Sequence, residues 1–166
     1  KADGITPEMM KAQQEKLRLI QDMAAASQDA LPEIIKQNDG KIDEELFVLI
    51  SRLAEASAAG GDQQGAQLLV GLQRALLEHS TYGKKLAEEA RKVYEIVSEA
   101  FICEYDDAGA IGKRYYRADE AGIPFAICVD GDNYAQGQVT VRDRDTGEQE
   151  IVALGNLVEY LRKKGC

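Results

Sequence analysis

Chemistry in this chain is concentrated in one run, Lys113-Arg114-Tyr115-Tyr116-Arg117, set just behind the glycines Gly109 and Gly112. Two glycines at that spacing permit a tight entry from a strand into a helix. The free N–H groups and dipole of such a helix start favour a phosphate. Cations interleaved with aromatics suit a backbone-tracking, base-stacking surface. Downstream, Arg142 and Arg144 flank a predicted hairpin turn, where forked guanidinium groups can reach base edges or phosphates. The competing reading is that these cations pair with the nearby acids Asp106, Asp107, Asp119, Asp143 and Asp145.

Other chemistries find little material. The single histidine, His79, excludes a His-based triad within the chain and reads as a surface group at a helix end. Cys103, Cys128 and Cys166 show no metal-ligand spacing. Their odd number fits a reducing compartment, so a cytoplasmic location is expected. Asp106 and Asp107 beside a glycine turn could hold Mg²⁺, but no nucleophile–base pair accompanies them. We therefore expect no catalytic residues, no metal, no cofactor and no enzymatic activity.

Across the 166 residues, 20 Lys and Arg stand against 29 Asp and Glu, a net charge of −9. Nucleic-acid contact would have to come from a local patch, since a generally basic surface is absent. No apolar run approaches the roughly 18 residues needed to cross a bilayer, so a soluble protein, or a soluble piece of one, and no membrane partner are expected. A first residue of Lys rather than Met is what a trimmed or engineered chain would show.

The elements that must position the basic run follow from periodicity. Thr6-Pro7-Glu8 signals a helix start, with Met9, Met10, Leu17, Ile20 and Met23 as its stripe to about residue 30. Pro32 opens a short helix to Asn38. Asp43 caps a third helix carrying Leu46, Phe47, Ile50, Leu53 and Ala54; Gly60-Gly61 ends it. Asp62 caps a fourth, with Leu68, Leu69, Leu72, Ala75 and Leu76, and the last two should pair as an antiparallel hairpin. Residues 1–83 thus read as an all-α unit, whose helices offer a surface for a protein partner or a homo-oligomer.

Residues 84–166 change pattern. An amphipathic helix over 84–100 precedes predicted strands at 101–105, 125–129, 138–142 and 148–153, with a closing helix over 156–164. The continuous apolar run 125–129 predicts a strand covered on both faces. The order α-β-α-β-β-β-α predicts an α/β domain with a mixed sheet, and the whole chain a two-domain α+β protein.

Three stretches in this half carry a resemblance: Tyr105-Asp-Asp-Ala-Gly-Ala-Ile-Gly-Lys-Arg-Tyr, then Asp119-Glu-Ala-Gly-Ile-Pro-Phe125, then Val139-Thr-Val-Arg-Asp-Arg-Asp-Thr146. Together they resemble the C-terminal anticodon-binding domain of class II aminoacyl-tRNA synthetases, the glycyl type above all, over about residues 86–161. The resemblance implies a non-catalytic module whose partner is tRNA or another structured RNA. Its surface would comprise Lys113, Arg114, Tyr115, Tyr116, Arg117, Arg142 and Arg144. The chain departs from the family at Tyr116, where a third basic residue is usual, at Ala118 and Ala121, and in its 131–134 linker. It also lacks the family's first strand, an interior one, since helical residues stand before position 84. Either the gap is closed by re-pairing, by a borrowed strand or by helices, or about 1 kcal/mol is lost per buried unpaired backbone group. The alternative function is a protein-interaction or regulatory module, or an artificial fusion of unrelated halves, that keeps the fold as a scaffold.

Overall fold

The computed structural model describes residues 5–107 and 111–166. They form two compact units, divided between Ser80 and Thr81. The first is all helix: α1 (Pro7–Ala25), α2 (Leu31–Gln37), α3 (Glu44–Ala59) and α4 (Gln63–His79). The expected caps form, since Thr6, Asp43 and Asp62 accept from the backbone N–H of Met9, Leu46 and Gly65 at 3.2, 2.9 and 2.9 Å. Gly60 and Gly61 end α3, Gly61 with φ 84°, a conformation costly for any other residue.

α3 and α4 pack as the predicted hairpin, fastened across by Gln73 Nε2 donating to Ser51 Oγ at 2.8 Å. Met23, Ile35, Leu46, Ile50, Leu72 and Leu76 fill the core. Two stripe readings need correction. Met9 and Met10 are exposed, and the buried residues of α1 begin at Leu19. Leu68 is 60% exposed, while Ala66 and Gln73 take inward positions on α4.

The second unit contains α5 (Thr81–Ser98), α6 (Ile111–Glu120), β1 (Phe125–Cys128), α7 (Gly131–Ala135), β2 (Gln138–Asp143), β3 (Gln149–Ala153) and α8 (Leu157–Lys163). The fold class read from the sequence holds, a helical unit followed by an α/β domain. The sheet within it differs. Its order is β1-β2-β3 and both pairings are antiparallel, so it is not the mixed sheet expected.

The reason lies at residues 101–107, which form no strand. A parallel neighbour would be needed to take their backbone hydrogen bonds, and the helical sequence preceding α5 supplies none. The strand-like alternation persists without the pairing. Phe101 and Cys103 turn toward the core while Ile102 is fully exposed. For the same reason β1 is an edge strand, and all four of its residues are half-buried rather than covered on both faces.

The register fixes which side chains share a face. Phe125 and Ile127 pair with Asp143 and Val141, and Val139 pairs with Val152. That face carries the core, in which Val139, Val141 and Val152 pack with Val93 and Val97 of α5 and with Leu157 and Leu161 of α8. The opposite face presents Ala126, Cys128, Thr140 and Arg142. Ile151 lies on it too, 61% exposed.

Replacing Leu157, which is fully buried, by Ala is expected to destabilise the protein by about 2–5 kcal/mol. Leu68→Ala should stay within about 0.5 kcal/mol. Denaturant unfolding followed by circular dichroism checks both, and a large loss at Leu68 would contradict the placement of α4.

Candidate nucleic-acid interface

α6 carries the basic run, and its period divides the run into two rows. Tyr115, Ala118 and Asp119 are half-buried; Lys113, Tyr116, Arg117 and Glu120 are exposed, and Arg114 lies between. The helix closes by a Schellman turn: Ile123 N–H donates to the Ala118 carbonyl at 2.9 Å and Gly122 N–H to that of Asp119 at 3.1 Å. Gly122, at φ 75°, makes the left-handed residue this turn requires. Gly109 lies at 108–110, outside the described residues; Gly112 is exposed at the start of α6.

The inward row fastens α6 to the sheet face bearing Arg142. Arg142 forms a two-pronged pair with Asp119, Nη1 to Oδ1 at 2.8 Å and Nη2 to Oδ2 at 3.1 Å. Its guanidinium also lies 4.9 Å from the centre of the Tyr115 ring. The Tyr115 hydroxyl is hydrogen-bonded to Cys128 on β1. Burial, reinforced by the Cys128 thiol, pushes that phenol up to about 12. The Arg142 hydrogen bonds hold the Asp119 carboxyl below its ordinary value, and Asp119 in turn raises that of Arg142.

Arg144 braces the same junction from the hairpin. Its Nη1 donates to the Gly122 carbonyl at 2.7 Å and its Nε to Asp145 at 2.9 Å. The hairpin is shaped by Asp143, whose Oδ1 accepts from the N–H groups of Asp145 and Thr146. Arg142 and Arg144 therefore hold α6 in place, the first from a side chain that is mostly buried and the second from the exposed hairpin. The reading in which cations pair with nearby acids describes both.

The outward row is different. Tyr116 is 64% exposed and sits one turn from Lys113, with Arg117 beside it. Arg117 is held by Asp106, its Nε and Nη2 donating to the same oxygen at 3.0 and 2.6 Å. Asp106 follows Tyr105, whose ring meets Tyr94 of α5 edge-on at 6.1 Å and has Arg91 over its face at 5.7 Å. Burial raises the Tyr105 phenol, and the Asp107 charge adds to it. Arg114 is close enough for its charge to act on both Tyr105 and Tyr115. The structure thus gathers five candidates on one helix and places Arg142 and Arg144 beneath it.

Sequence reasoning named Asp106, Asp119 and Asp145 among the possible acid partners without assigning them, and missed Cys128 and the Gly122 carbonyl. The offset of 23 residues between Asp119 and Arg142 carries no local signal. Among the described residues no cluster of three His, Cys, Asp or Glu side chains is placed to hold a metal. No described helix is long and apolar enough to cross a membrane.

The second unit is thus an α/β domain with a basic, aromatic helix clamped over a small sheet. Comparison with known families narrows this: the anticodon binding domain matches residues 75–164, more than half the chain, and the chain belongs to that family. It is 53% identical over 81 residues to a glycine–tRNA ligase of Lachnoclostridium phytofermentans, covering 49% of this chain and 18% of that protein. A glycine–tRNA ligase of Lachnospira eligens is 38% identical over 143 residues, covering 84% of this chain and 30% of that protein. The chain therefore spans less than a third of the length of these relatives. Among solved structures, a histidyl-tRNA synthetase from Nostoc aligns with a TM-score of 0.44 and 28% identity, over 48% of this chain and 20% of that one.

The Asp119–Arg142 pair gives a signed pH dependence. A carboxyl depressed in the folded state stabilises fully above its unfolded value, about 3.9, and loses that contribution as pH falls through the folded value. The thermal-midpoint gap between wild type and Asp119→Asn should be constant above about pH 5 and narrow as pH drops below about 4. A gap that widens in acid would contradict the pairing.

Proposed function

We propose that this chain is an RNA-binding module without catalytic activity of its own, which takes the anticodon stem-loop of a tRNA on the outer face of α6. The observation that carries this reading is the exposed row Lys113, Tyr116 and Arg117 on the helix of a domain belonging to the anticodon-binding family. Lys113 and Arg117 supply phosphate contacts, and Tyr116 supplies a ring for an unpaired base. Tyr116 replaces a charge by a stacking surface, which shifts the balance from phosphate contact toward base contact. Arg114 completes the cationic end of the helix, while Arg142, Arg144 and Tyr115 keep it oriented. The similarity to glycine–tRNA ligases supports a tRNA as the ligand and a cytoplasmic setting.

A second reading, a module that binds protein, is favoured by one observation. The net charge of −9 and the inward-turned Arg142 and Arg144 leave a smaller cationic area than the sequence offered. The two readings separate by salt dependence. RNA binding through phosphate contacts weakens linearly in log–log form with added salt.

Titration of the chain with a labelled anticodon stem-loop at two salt concentrations is expected to show binding that weakens with salt. Lys113→Ala should reduce the slope by about one unit. Tyr116→Ala should weaken binding by about 1–3 kcal/mol while leaving the slope unchanged. Absence of binding at low salt would defeat the RNA reading.

A further inference from the structure

The two arginine–aspartate pairs at this surface are built differently. Arg142 makes parallel bonds to both oxygens of Asp119, with a side chain only 17% exposed and stacked on Tyr115. Arg117 directs two donors at a single oxygen of Asp106, and the side chains are 46% and 38% exposed. The first pair is a fixed joint. The second lies at the solvent-exposed surface.

We propose that Asp106 sets the affinity of this surface by holding Arg117 in the free protein and competing with the incoming phosphate. The proposal rests on the RNA-binding reading above. Nε and Nη2 form one edge of the guanidinium, and that edge is a fork that grips a phosphate with two parallel bonds. While both donors point at Asp106 Oδ2, the edge is occupied. A phosphate must displace the carboxylate to use it.

Displacement is feasible because an exposed pair of this kind is worth little, and a phosphodiester, singly charged like the carboxylate, can take the two donors on two separate oxygens. The carboxylate is also presented from a fixed position. Tyr105, the adjoining residue, is anchored against Tyr94 and Arg91 of α5. Asp106 therefore returns to Arg117 when the ligand leaves. A ligand that brings a phosphate to this point exchanges partners, and one that does not meets a neutralised Arg117.

The test is a double-mutant cycle on the full chain, with an anticodon stem-loop RNA at low salt as the probe. Asp106→Asn should tighten binding by about threefold to fivefold, the upper part of the range an exposed pair supplies. Asp107→Asn removes the same charge one residue away and should change binding by less than about twofold. In an Arg117→Ala background, Asp106→Asn should do no more than Asp107→Asn. If Asp106→Asn tightens binding equally with and without Arg117, the effect is plain charge removal and the competition is overturned, while the RNA reading stands. Weaker binding by Asp106→Asn would show that the pair orients Arg117 toward its ligand, and overturns the proposal too. No binding by any variant, wild type included, overturns the RNA reading and this proposal with it.

Discussion

The joint between Asp119 and Arg142 is the constraint on which the surface depends. α6 lies over the sheet face opposite the valine-rich core, and that face offers it little apolar area: Ala126, Cys128, Thr140 and the stem of Arg142. Hydrophobic burial alone would hold a ten-residue helix loosely there. The two parallel charge-assisted bonds, with the Tyr115 ring stacked beneath the guanidinium, supply direction as well as attraction. Because Asp119 and Tyr115 take the inward side of the helix, Lys113, Tyr116 and Arg117 must face out. Arg144 then ties the end of the helix, through the Gly122 carbonyl, to the hairpin that also carries Arg142.

The described sheet of the second unit has three strands, and residues 101–107 do not add a fourth beside β1. The core does not depend on one. Val139, Val141 and Val152 come from β2 and β3, and α5 and α8 cover them. What changes is the margin of the sheet, where β1 is only half-buried and residues 101–107 run unpaired, anchored by Tyr105 rather than by a ladder. The α4 residues 68–72 are helical, consistent with their 3.6-residue period.

Much of this was legible in the sequence, for local reasons. Thr6, Asp43 and Asp62 announce their helices because a cap is decided within three residues, and Gly60-Gly61 and Asp145-Thr146-Gly147 mark turns through backbone freedom. The helical unit and the α/β domain followed from those signals and from periodicity. What failed was non-local. Residues 101–105 have a strand's alternation, yet a strand exists only when a neighbour takes its hydrogen bonds. For Arg142 and Arg144 the sequence offered acids as possible partners, but nothing local matches Asp119 to Arg142 or brings the Gly122 carbonyl to Arg144, each more than twenty residues away in the chain. Composition identified the charged residues; only the register of β2 against β1 decides which of them turn inward.

The RNA contact proposed for this chain is the outer face of α6, and not the helical unit or the groove between β3 and α8. Backbone amide shift mapping of the full chain on addition of an anticodon stem-loop tests it most directly. The expected result is perturbation centred on Lys113, Tyr116, Arg117 and Asp106, with the buried positions of α3 and α4 and the groove lined by Glu150, Asn156 and Lys163 unmoved. Perturbation centred on that groove or on α1–α4, with α6 silent, would contradict it.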